Sequence, residues 1–354
     1  MDTLSGLLEG PKARGAFLLK SVFNPPWSVR IEDRAPLSVV TMVHGTGWLL
    51  PDGGTPVLIG PGDVAVVRGP EPYTLADAPG TPVQISVDPE QRCSTQAGED
   101  VSETMALGVR TWGAEFQDAG SAVMLSGTYQ APSEIGRRLL GALPTVLVRP
   151  AAAADTTLIG LLASEISRDE PGQELVLDRL LDLLLIGVLR TWLADPGSGA
   201  PGWYRAQGDP VVGRALRLLQ ENPAHGWTVE ELAQKAGVSR ASLARRFTDL
   251  VGEPPMAYLT GWRLALAADL LREPDATVAT VARRVGYSSA FALSTAFKRV
   301  RGVSPQEFRT GGASPVAGPA GTGPPSTVVL PETTPPRRAA GPGRRRSGRR
   351  STRR

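Results

Sequence analysis

The sequence predicts an α+β protein of two domains: an N-terminal antiparallel β-barrel plus helices, then an all-α double helix-turn-helix domain. Three observations predict this. Residues 36–90 contain short runs rich in Val, Ile and Leu, separated by turns of Gly, Pro and Asp. Residues 228–255 and 277–305 carry one helical pattern twice. Beyond Thr310 the chain consists mainly of Gly, Pro, Ser, Thr and Arg, which predicts a disordered basic tail.

Composition places the chain among globular proteins with a real core. It has 354 residues, of which 41% are hydrophobic and 21% charged, enough for two or three domains. We recognise no secretory signal, and the most apolar run, at 180–189, is too short to span a membrane. The single cysteine, Cys93, excludes an internal disulfide framework. These features predict a cytoplasmic protein with no membrane partner.

The strand candidates of the N-terminal domain are short and closely spaced. They are PLSVVTMV, TGWLL, PVLIG, DVAVVRG and TPVQISV, with HGTG, PDGG and PGD as turns. This spacing favours an antiparallel barrel or sandwich over alternating β-α units.

From about Ala131 the pattern becomes helical. Helix candidates lie in SEIGRRLLGALPTVLV, where the helix ends near Pro144, and in LIGLLASEISRDEPG and ELVLDRLLDLLLIGVLRTWLAD. A Gly/Pro/Ser linker, ADPGSGAPGW, follows. The third candidate has an apolar stripe wide enough to pack on two sides. Two alternatives remain open for this stripe, an intramolecular core and a dimer seam.

The repeated pattern has the order helix, Gly-containing turn, second helix. Thr228 and Thr277 are suited to cap the first helix of each copy, and Gly237 and Gly286 to end it. Ser239 in the first copy and Ser288 or Ser289 in the second are suited to cap the second helix. Two such patterns in register, about 50 residues apart, predict a double helix-turn-helix unit.

The second helix of each copy leaves a polar, partly basic face that suits the DNA major groove. In the first copy the face comprises Arg240, Ala241, Ala244 and Arg245, and in the second Ser289, Ala290, Ser294, Thr295 and Lys298. Between the copies, residues 255–275 predict one helix that could place the two faces in adjacent grooves, which recur about every 34 Å.

Charge is distributed unevenly along the chain. Residues 1–208 hold 15 basic and 24 acidic residues, residues 209–310 hold 14 and 10, and residues 311–354 hold 9 and 1. Basic charge gathered at one end indicates a polyanionic partner there. A solvated tail without a partner is the alternative.

The C-terminal motifs resemble the DNA-binding domain of AraC/XylS-type transcriptional regulators. The matching pieces are WTVEELAQKAGVSRASLARRF, WRLALA, VARRVGYSS and AFKRVRGVSPQEFR. The resemblance implies a bacterial, nucleoid-associated protein that binds promoter DNA. It also implies base-contacting positions at Arg240, Ala241, Ala244 and Arg245, and at Ala290, Phe291, Ser294 and Thr295.

The second copy departs from the family pattern. Many members carry Arg where this chain has Thr295, and a polar residue where it has Phe291. Thr cannot make the bidentate guanine contact available to Arg. We therefore expect the first copy to supply most sequence discrimination and the second to anchor mainly on the DNA backbone.

The N-terminal domain resembles, through residues 53–75 and the helix LDRLLDLLLIGVLRTWL, the cupin-like effector domain fused to many of these regulators. The candidate effector-binding residues are His44, Trp48, Arg68 and Tyr73. A metal-binding cupin needs about three His with a carboxylate, but this chain has only His44 and His225. We therefore predict no metal, no cofactor and no catalytic residues.

The predicted function is promoter-specific regulation modulated by a small-molecule effector, with a homodimer and, for an activator, RNA polymerase as further partners. The alternatives are an architectural DNA-binding protein that uses the Arg-rich tail and a cupin-type enzyme tethered to DNA. The predicted divisions are a sensor domain at 1–130, a helical linker and dimerisation segment at 131–194, a flexible linker at 195–208, the DNA-binding domain at 209–310 and the tail at 311–354.

Overall fold

Strands form the N-terminal part of the structure and helices the C-terminal part. The computed structural model describes residues 17–117, 120–129, 134, 140–151, 156–195, 197, 200–310 and 327–330. The described strands are β1 (Phe17–Phe23), β2 (Ser28–Ile31), β3 (Leu37–His44), β4 (Gly47–Pro51), β5 (Val57–Ile59), β6 (Val64–Arg68), β7 (Tyr73–Ala76), β8 (Ile85–Val87), β9 (Cys93–Thr95), β10 (Ala106–Gly108), β11 (Thr111–Gly113), β12 (Ala122–Tyr129), β13 (Val146–Arg149) and β14 (Thr327–Val329). The described helices are α1 (Thr156–Glu165), α2 (Gln173–Ala194), α3 (Gly202–Arg205), α4 (Val212–Glu221), α5 (Val229–Ala236), α6 (Arg240–Val251), α7 (Pro255–Leu270), α8 (Val278–Arg284), α9 (Ala290–Arg301) and α10 (Pro305–Arg309). None of these helices is both long and apolar enough to cross a membrane.

The strands form two sheets, and most pairs are antiparallel as predicted. The larger sheet has the order β10-β11-β1-β12-β3-β6-β13-β14, and the smaller has the order β5-β4-β7-β2-β8-β9. Neither sheet closes on itself, so the domain is two open, packed sheets rather than a continuous barrel. Three pairs are parallel, namely β1 with β11, β2 with β8 and β13 with β14.

The central strands of the larger sheet are buried on both faces. Val39 and Val66 belong to a core that includes α1 and α2, whereas Val40 and Ala65 belong to the core between the sheets. Side chains of a strand alternate between faces, so a sheet covered on both sides needs apolar residues at successive positions. This explains the unbroken runs VVTMV and VAVV.

Helix α2 packs its apolar stripe into the intramolecular core, which decides between the two alternatives for that stripe. Leu177, Leu181, Leu184, Leu185, Val188 and Trp192 all belong to the core beneath the larger sheet. Other apolar residues of α2, Leu175, Val176 and Leu183, are exposed.

The predicted flexible linker contains packed residues. Of residues 195–208, those from 200 onward include helix α3, and Ala200 and Ala206 are buried. A Cβ on Gly202 would approach the Leu250 carbonyl oxygen to 2.4 Å, so this segment lies directly against α6. Residues 200–206 are therefore packed, because Ala200 lies in the core with α2 and Ala206 in the core around α4, α5 and α6.

Part of the predicted disordered tail is a strand. Residues 327–329 form β14, which pairs in parallel with Val146–Val148 of β13, and the Leu330 amide donates to the Val148 carbonyl at 2.8 Å. Leu330 is only 1% exposed and lies in the core with α2. The prediction of disorder is wrong for these four residues, because the edge of β13 supplies backbone partners that sequence composition cannot show. The rest of residues 311–354 lies outside the described residues.

Helix α7 joins two small cores in the C-terminal domain. Tyr258 and Leu259 contribute to the core around α4, α5 and α6. Leu264 and Ala268 contribute to the core around α8 and α9. The helix begins at Pro255 as predicted and ends at Leu270, slightly earlier than the end before Pro274 that the sequence predicts.

The two domains contact each other through apolar and charged groups. Trp262 and Ala265 of α7 share a core with Trp192 of α2. Beside this core the Glu134 carboxylate, whose side chain is 2% exposed, pairs with the guanidinium groups of Arg272 and Arg301. The C-terminal helical domain is therefore attached to the N-terminal domain through α7, the residues just after it and the end of α9.

Asp209 supports the start of α4 in two ways. Its Oδ1 accepts from the amides of Val211 and Val212 at 3.0 and 2.9 Å, and its Oδ2 accepts from Arg246 Nε at 2.9 Å. Partial burial raises the pKa of Asp209, but the two amides and the guanidinium outweigh it and hold that pKa below its ordinary value.

We expect Asp209→Ala to lower the free energy of unfolding by about 1–2 kcal/mol, because a helix cap and an ion pair are lost together. Since the folded-state pKa is depressed, the stabilisation is present above the ordinary carboxyl pKa and is lost as pH falls through the folded-state value. The difference from wild type in urea unfolding should therefore shrink below about pH 4. Asp249→Ala, at an exposed site on α6, is the matched control. An equal loss in both variants would contradict the capping role.

Candidate nucleic-acid interface

The first unit, residues 228–252, has the predicted helix-turn-helix geometry. The Thr228 hydroxyl accepts from the Glu231 amide at 3.1 Å and caps α5. Gly237 ends α5 with a φ of 73°, in the left-handed region that glycine adopts without strain. The Ser239 hydroxyl then accepts from the Ser242 amide at 3.2 Å and caps α6. These predicted caps are confirmed.

Helix α6 has a buried face and an exposed face. Leu243 and Phe247 are fully buried in the core of the first unit. On the other side Ala241 and Arg245 are exposed, and Ala244 is half-buried. The predicted contact positions of the first unit thus lie together on the outer side of α6.

The three arginines of α6 differ in their partners. Arg246 pairs with Asp209, and Arg240 Nε pairs with Glu230 Oε1 at 2.8 Å. Among the described residues Arg245 has no ion-pair or hydrogen-bond partner. The Arg240–Glu230 pair is solvent-exposed and therefore weak. The Arg240 guanidinium can exchange the Glu230 carboxylate for a DNA phosphate at little cost. Arg245 is the arginine of α6 whose donors are fully available.

The second unit, residues 277–302, repeats the scaffold. Thr277 and Thr280 form a capping box at the start of α8. Ser289, rather than Ser288, caps α9 by accepting from the Ala292 amide at 3.1 Å. Ser289 therefore positions the helix with one lone pair of its exposed hydroxyl, and its O–H remains able to donate to DNA.

Helix α9 presents a less polar outer face than α6. Leu293 and Phe297 are buried, whereas Phe291, Thr295 and Lys298 are exposed. Ala290 and Ser294 are half-buried, and the Ser294 hydroxyl donates to the Ala290 carbonyl at 2.8 Å. With the 50-residue offset, Phe291 occupies the place of Ala241, and Thr295 the place of Arg245.

The loop between α4 and α5 holds the two units in one orientation. Arg263 of α7 donates to the carbonyls of Pro223 and His225 at 2.6 and 2.7 Å. Gly286, at a φ of 83°, is so close to Ala224 that an added Cβ would meet its carbonyl oxygen at 2.6 Å. Burial lowers the pKa of Arg263, but its guanidinium stays charged at neutral pH. The linker helix, this loop and the second unit are therefore in mutual contact.

The four candidate effector residues do not converge on one site. Tyr73 lines a cavity between the sheets, where burial raises its pKa and Ser38 is its hydrogen-bond partner. His44 is exposed at the end of β3, with its ring 5.2 Å from that of Phe116. Trp48 on β4 and Arg68 at the end of β6 are half-buried and do not line the cavity.

The cavity has a volume of about 50 Å³ and a mainly apolar lining. Its walls include Phe23, Leu75 and Trp112, with Asp33 and Gln91 as polar groups. Asp33 and Gln91 lie in turns that carry no strand or motif signal, so the sequence did not single them out. Only the packing of the sheets brings them beside Tyr73.

Cys93 also lines the cavity. It is buried as the first residue of β9. Burial raises the pKa of its thiol to about 11, so the reactive thiolate is scarce at neutral pH. Among the described residues, no group of three or more His, Cys, Asp or Glu side chains is placed to hold a metal ion.

Comparison with known proteins matches both halves of the chain. The family described as "Cupin" matches residues 2–194, and the family described as "Helix-turn-helix domain" matches residues 232–311. A shorter match to "Bacterial regulatory proteins, tetR family" covers residues 212–249. A protein of Streptomyces lividans named as an AraC-like transcription regulator is 33% identical over 87% of this chain and 98% of its own length. The chain belongs to the AraC-like transcription regulators.

Two further similarities concern parts of this regulator. The HTH-type transcriptional regulator AlkR of Acinetobacter baylyi is 36% identical over 49% of the chain and 59% of its own length. The DNA-binding domain of AdpA, solved in complex with a target DNA, is 35% identical over 29% of this chain and 92% of that chain, with a TM-score of 0.28.

The two family matches and the Streptomyces lividans relative confirm the predicted family and the two-domain α+β class. The protein is an AraC-type helix-turn-helix DNA-binding transcriptional regulator with an N-terminal cupin-like domain. Its relatives are named as transcription regulators, not as enzymes.

Proposed function

We propose that this AraC-like regulator binds promoter DNA by placing α6 and α9 in adjacent major grooves. Helix α7, with 16 residues, is roughly 24 Å long and holds the units apart. The loop contacts of Arg263 and Gly286 limit rotation between the units. A two-site reader in a fixed orientation suits a duplex whose grooves recur about every 34 Å.

Within this arrangement the first unit supplies most base discrimination. The observation that carries this assignment is the exposed Arg245 guanidinium, which has no partner among the described residues. Arginine can make a bidentate contact with guanine O6 and N7, whereas Thr295 at the equivalent place cannot. Thr295 and Lys298 suit contacts to the DNA backbone.

We expect Arg245→Ala to reduce the preference for a target site over random duplex by about 5- to 150-fold. This factor corresponds to the loss of one bidentate contact, which contributes about 1–3 kcal/mol of discrimination. Thr295→Ala should weaken binding to both duplexes by similar, smaller factors. The measurement is fluorescence anisotropy at fixed salt with the full chain, on sites recovered by genome-wide mapping.

Arg246→Ala is the control, because Arg246 lies on the same helix but pairs with Asp209. If Arg245→Ala left discrimination intact while Thr295→Ala abolished it, the division between the units would be wrong. If the wild-type chain showed no preference over random duplex at physiological salt, the promoter-specific function itself would fail.

We further propose that a small molecule in the N-terminal domain modulates DNA binding. The contacts of Trp262 and Glu134 support this, because they offer a route from the N-terminal domain to α7 and α9. The cavity beside Tyr73, at about 50 Å³, would have to open further to admit an effector. We also propose that the protein acts at the nucleoid in the bacterial cytoplasm, contacting RNA polymerase where it activates. A homodimer could use the exposed apolar residues of α2, namely Leu175, Val176 and Leu183.

A second candidate function is architectural DNA binding through the tail. It is favoured by nine arginines and no acidic residue after Glu332. Such a segment adds sequence-independent, strongly salt-dependent affinity. Truncation after Leu330, which removes all nine arginines, separates the two functions, since it should leave the preference for the target site unchanged.

A further inference from the structure

Phe291 is the most exposed large apolar side chain in the part of the chain that the structure describes. It is 81% exposed, ahead of Leu175 at 60%. Water contact of so much aromatic surface is unfavourable, and burying a Phe side chain contributes roughly 1.5–3 kcal/mol. A single exposed apolar residue is ordinary on a protein surface, so its position must decide whether it has a role.

Phe291 is the second residue of α9 and lies two positions after the cap at Ser289. Leu293 and Phe297, which fill the core of the second unit, face the other way. The core therefore makes no use of Phe291. In helix-turn-helix proteins the N-terminal residues of the recognition helix are those that meet base edges in the major groove.

The chemistry of the Phe291 side chain selects among base edges. A phenyl ring has no hydrogen-bond donor for guanine or adenine and no acceptor for cytosine. In the major groove only thymine presents an apolar group, its C5-methyl, and Phe is one of the residues that contact it. The neighbouring Ala290 is small and half-buried, so it leaves the ring room to reach the groove floor.

We propose that Phe291 is a specificity-determining residue through which the second unit recognises a thymine by its C5-methyl group. This inference rests on the proposed function, since it needs α9 in a major groove. It refines the role of the second unit, which adds one apolar base contact to its backbone anchoring.

The Phe291 contact also fixes the orientation of the bound protein on the DNA. The equivalent place in the first unit is occupied by Ala241, whose single methyl reaches less far. One unit then uses a guanine contact through Arg245 and the other a thymine contact through Phe291. The two half-sites differ, so the regulator can bind an asymmetric site in only one orientation.

The test removes one methyl group at a time from the DNA. Sites are first selected with the full chain, and each thymine in the half-site of the second unit is then replaced singly by deoxyuridine, which differs only in lacking the C5-methyl. At one position wild-type affinity should fall about three- to fivefold, the value of one buried methyl group. Phe291→Ala should lose a similar factor on the parent duplex and show no further loss on the deoxyuridine duplex.

Two controls accompany this comparison of wild type and Phe291→Ala on the parent and deoxyuridine duplexes. Deoxyuridine in the half-site of the first unit should affect wild type and Phe291→Ala equally. Phe291→Leu, which keeps an apolar side chain, should retain part of the methyl preference. Because Phe291 is exposed, the alanine variant should unfold like wild type, which thermal denaturation checks.

Three outcomes would overturn the inference. The deoxyuridine and Phe291→Ala effects could be additive at every position, which would show that the ring does not touch a methyl. Phe291→Ala could weaken target and random duplexes equally, which would indicate a non-specific wedge or packing role. It could leave DNA binding unchanged but impair transcription, which would assign Phe291 to a protein partner. Recovery of no preferred site at all would instead contradict the proposed function on which the inference rests.

Discussion

Phe297→Ala should lower the free energy of unfolding of the second unit by about 3–5 kcal/mol, whereas Phe291→Ala should change it by less than about 0.5 kcal/mol. Both substitutions remove the same side chain from the same helix, so helix propensity cancels. Phe297 is fully buried, with its ring 5.4 Å from Phe308 in an edge-to-face contact, and Phe291 is in solvent. The difference between the variants is therefore the cost of the core cavity.

Amide hydrogen exchange in α8 and α9 measures this effect where it occurs, alongside urea unfolding of the full chain. Protection in α8 and α9 should fall sharply in Phe297→Ala, while protection in α5 and α6 changes much less, because the first unit has its own core. Equal effects of the two substitutions would mean that α9 packs differently from the arrangement described.

Truncation after residue 326 should destabilise the N-terminal domain by about 2–5 kcal/mol, the usual cost of emptying a buried leucine site. The truncation removes β14 and Leu330, which lies in the core with α2. It also exposes the edge of β13, whose Val146, Leu147 and Val148 are buried in the intact protein. An uncovered apolar edge of this kind promotes aggregation.

The matched control is truncation after residue 330, which removes the arginines but keeps the strand. The chain that ends at residue 330 should have the thermal unfolding curve of wild type. Its non-specific affinity for DNA should be lower and should depend less on salt concentration. A stable, monomeric 1–326 chain would show that β14 contributes nothing to the fold.

Sequence patterns were sufficient to predict the two helix-turn-helix units of the DNA-binding domain. The caps at Thr228, Ser239 and Thr277 and the turn at Gly237 were predicted from residue type and position, and the structure confirms them. Such signals are local: a hydroxyl three residues before its amide partner, or an apolar side chain every third or fourth residue, is visible in a short window.

The strands of the N-terminal cupin-like domain were less predictable. Five strand candidates lie where strands are observed, but β1, β2, β7 and the strands from β9 onward were not predicted. Their pairing depends on residues far apart in sequence, as when Val146 meets Thr327. The cavity has the same origin, because Asp33, Tyr73 and Cys93 become neighbours only when the two sheets pack.

By itself, then, the sequence determined the two-domain α+β class, the doubled helix-turn-helix unit and the family, because these follow from short-range patterns and compositional contrast. Only the tertiary structure decided that Arg245 has no partner among the described residues while Arg246 pairs with Asp209, that Phe291 faces solvent while Phe297 fills a core, and that Leu330 returns to the N-terminal domain. Partner choice and burial are properties of contacts between distant segments, and chemically identical side chains acquire different roles from them.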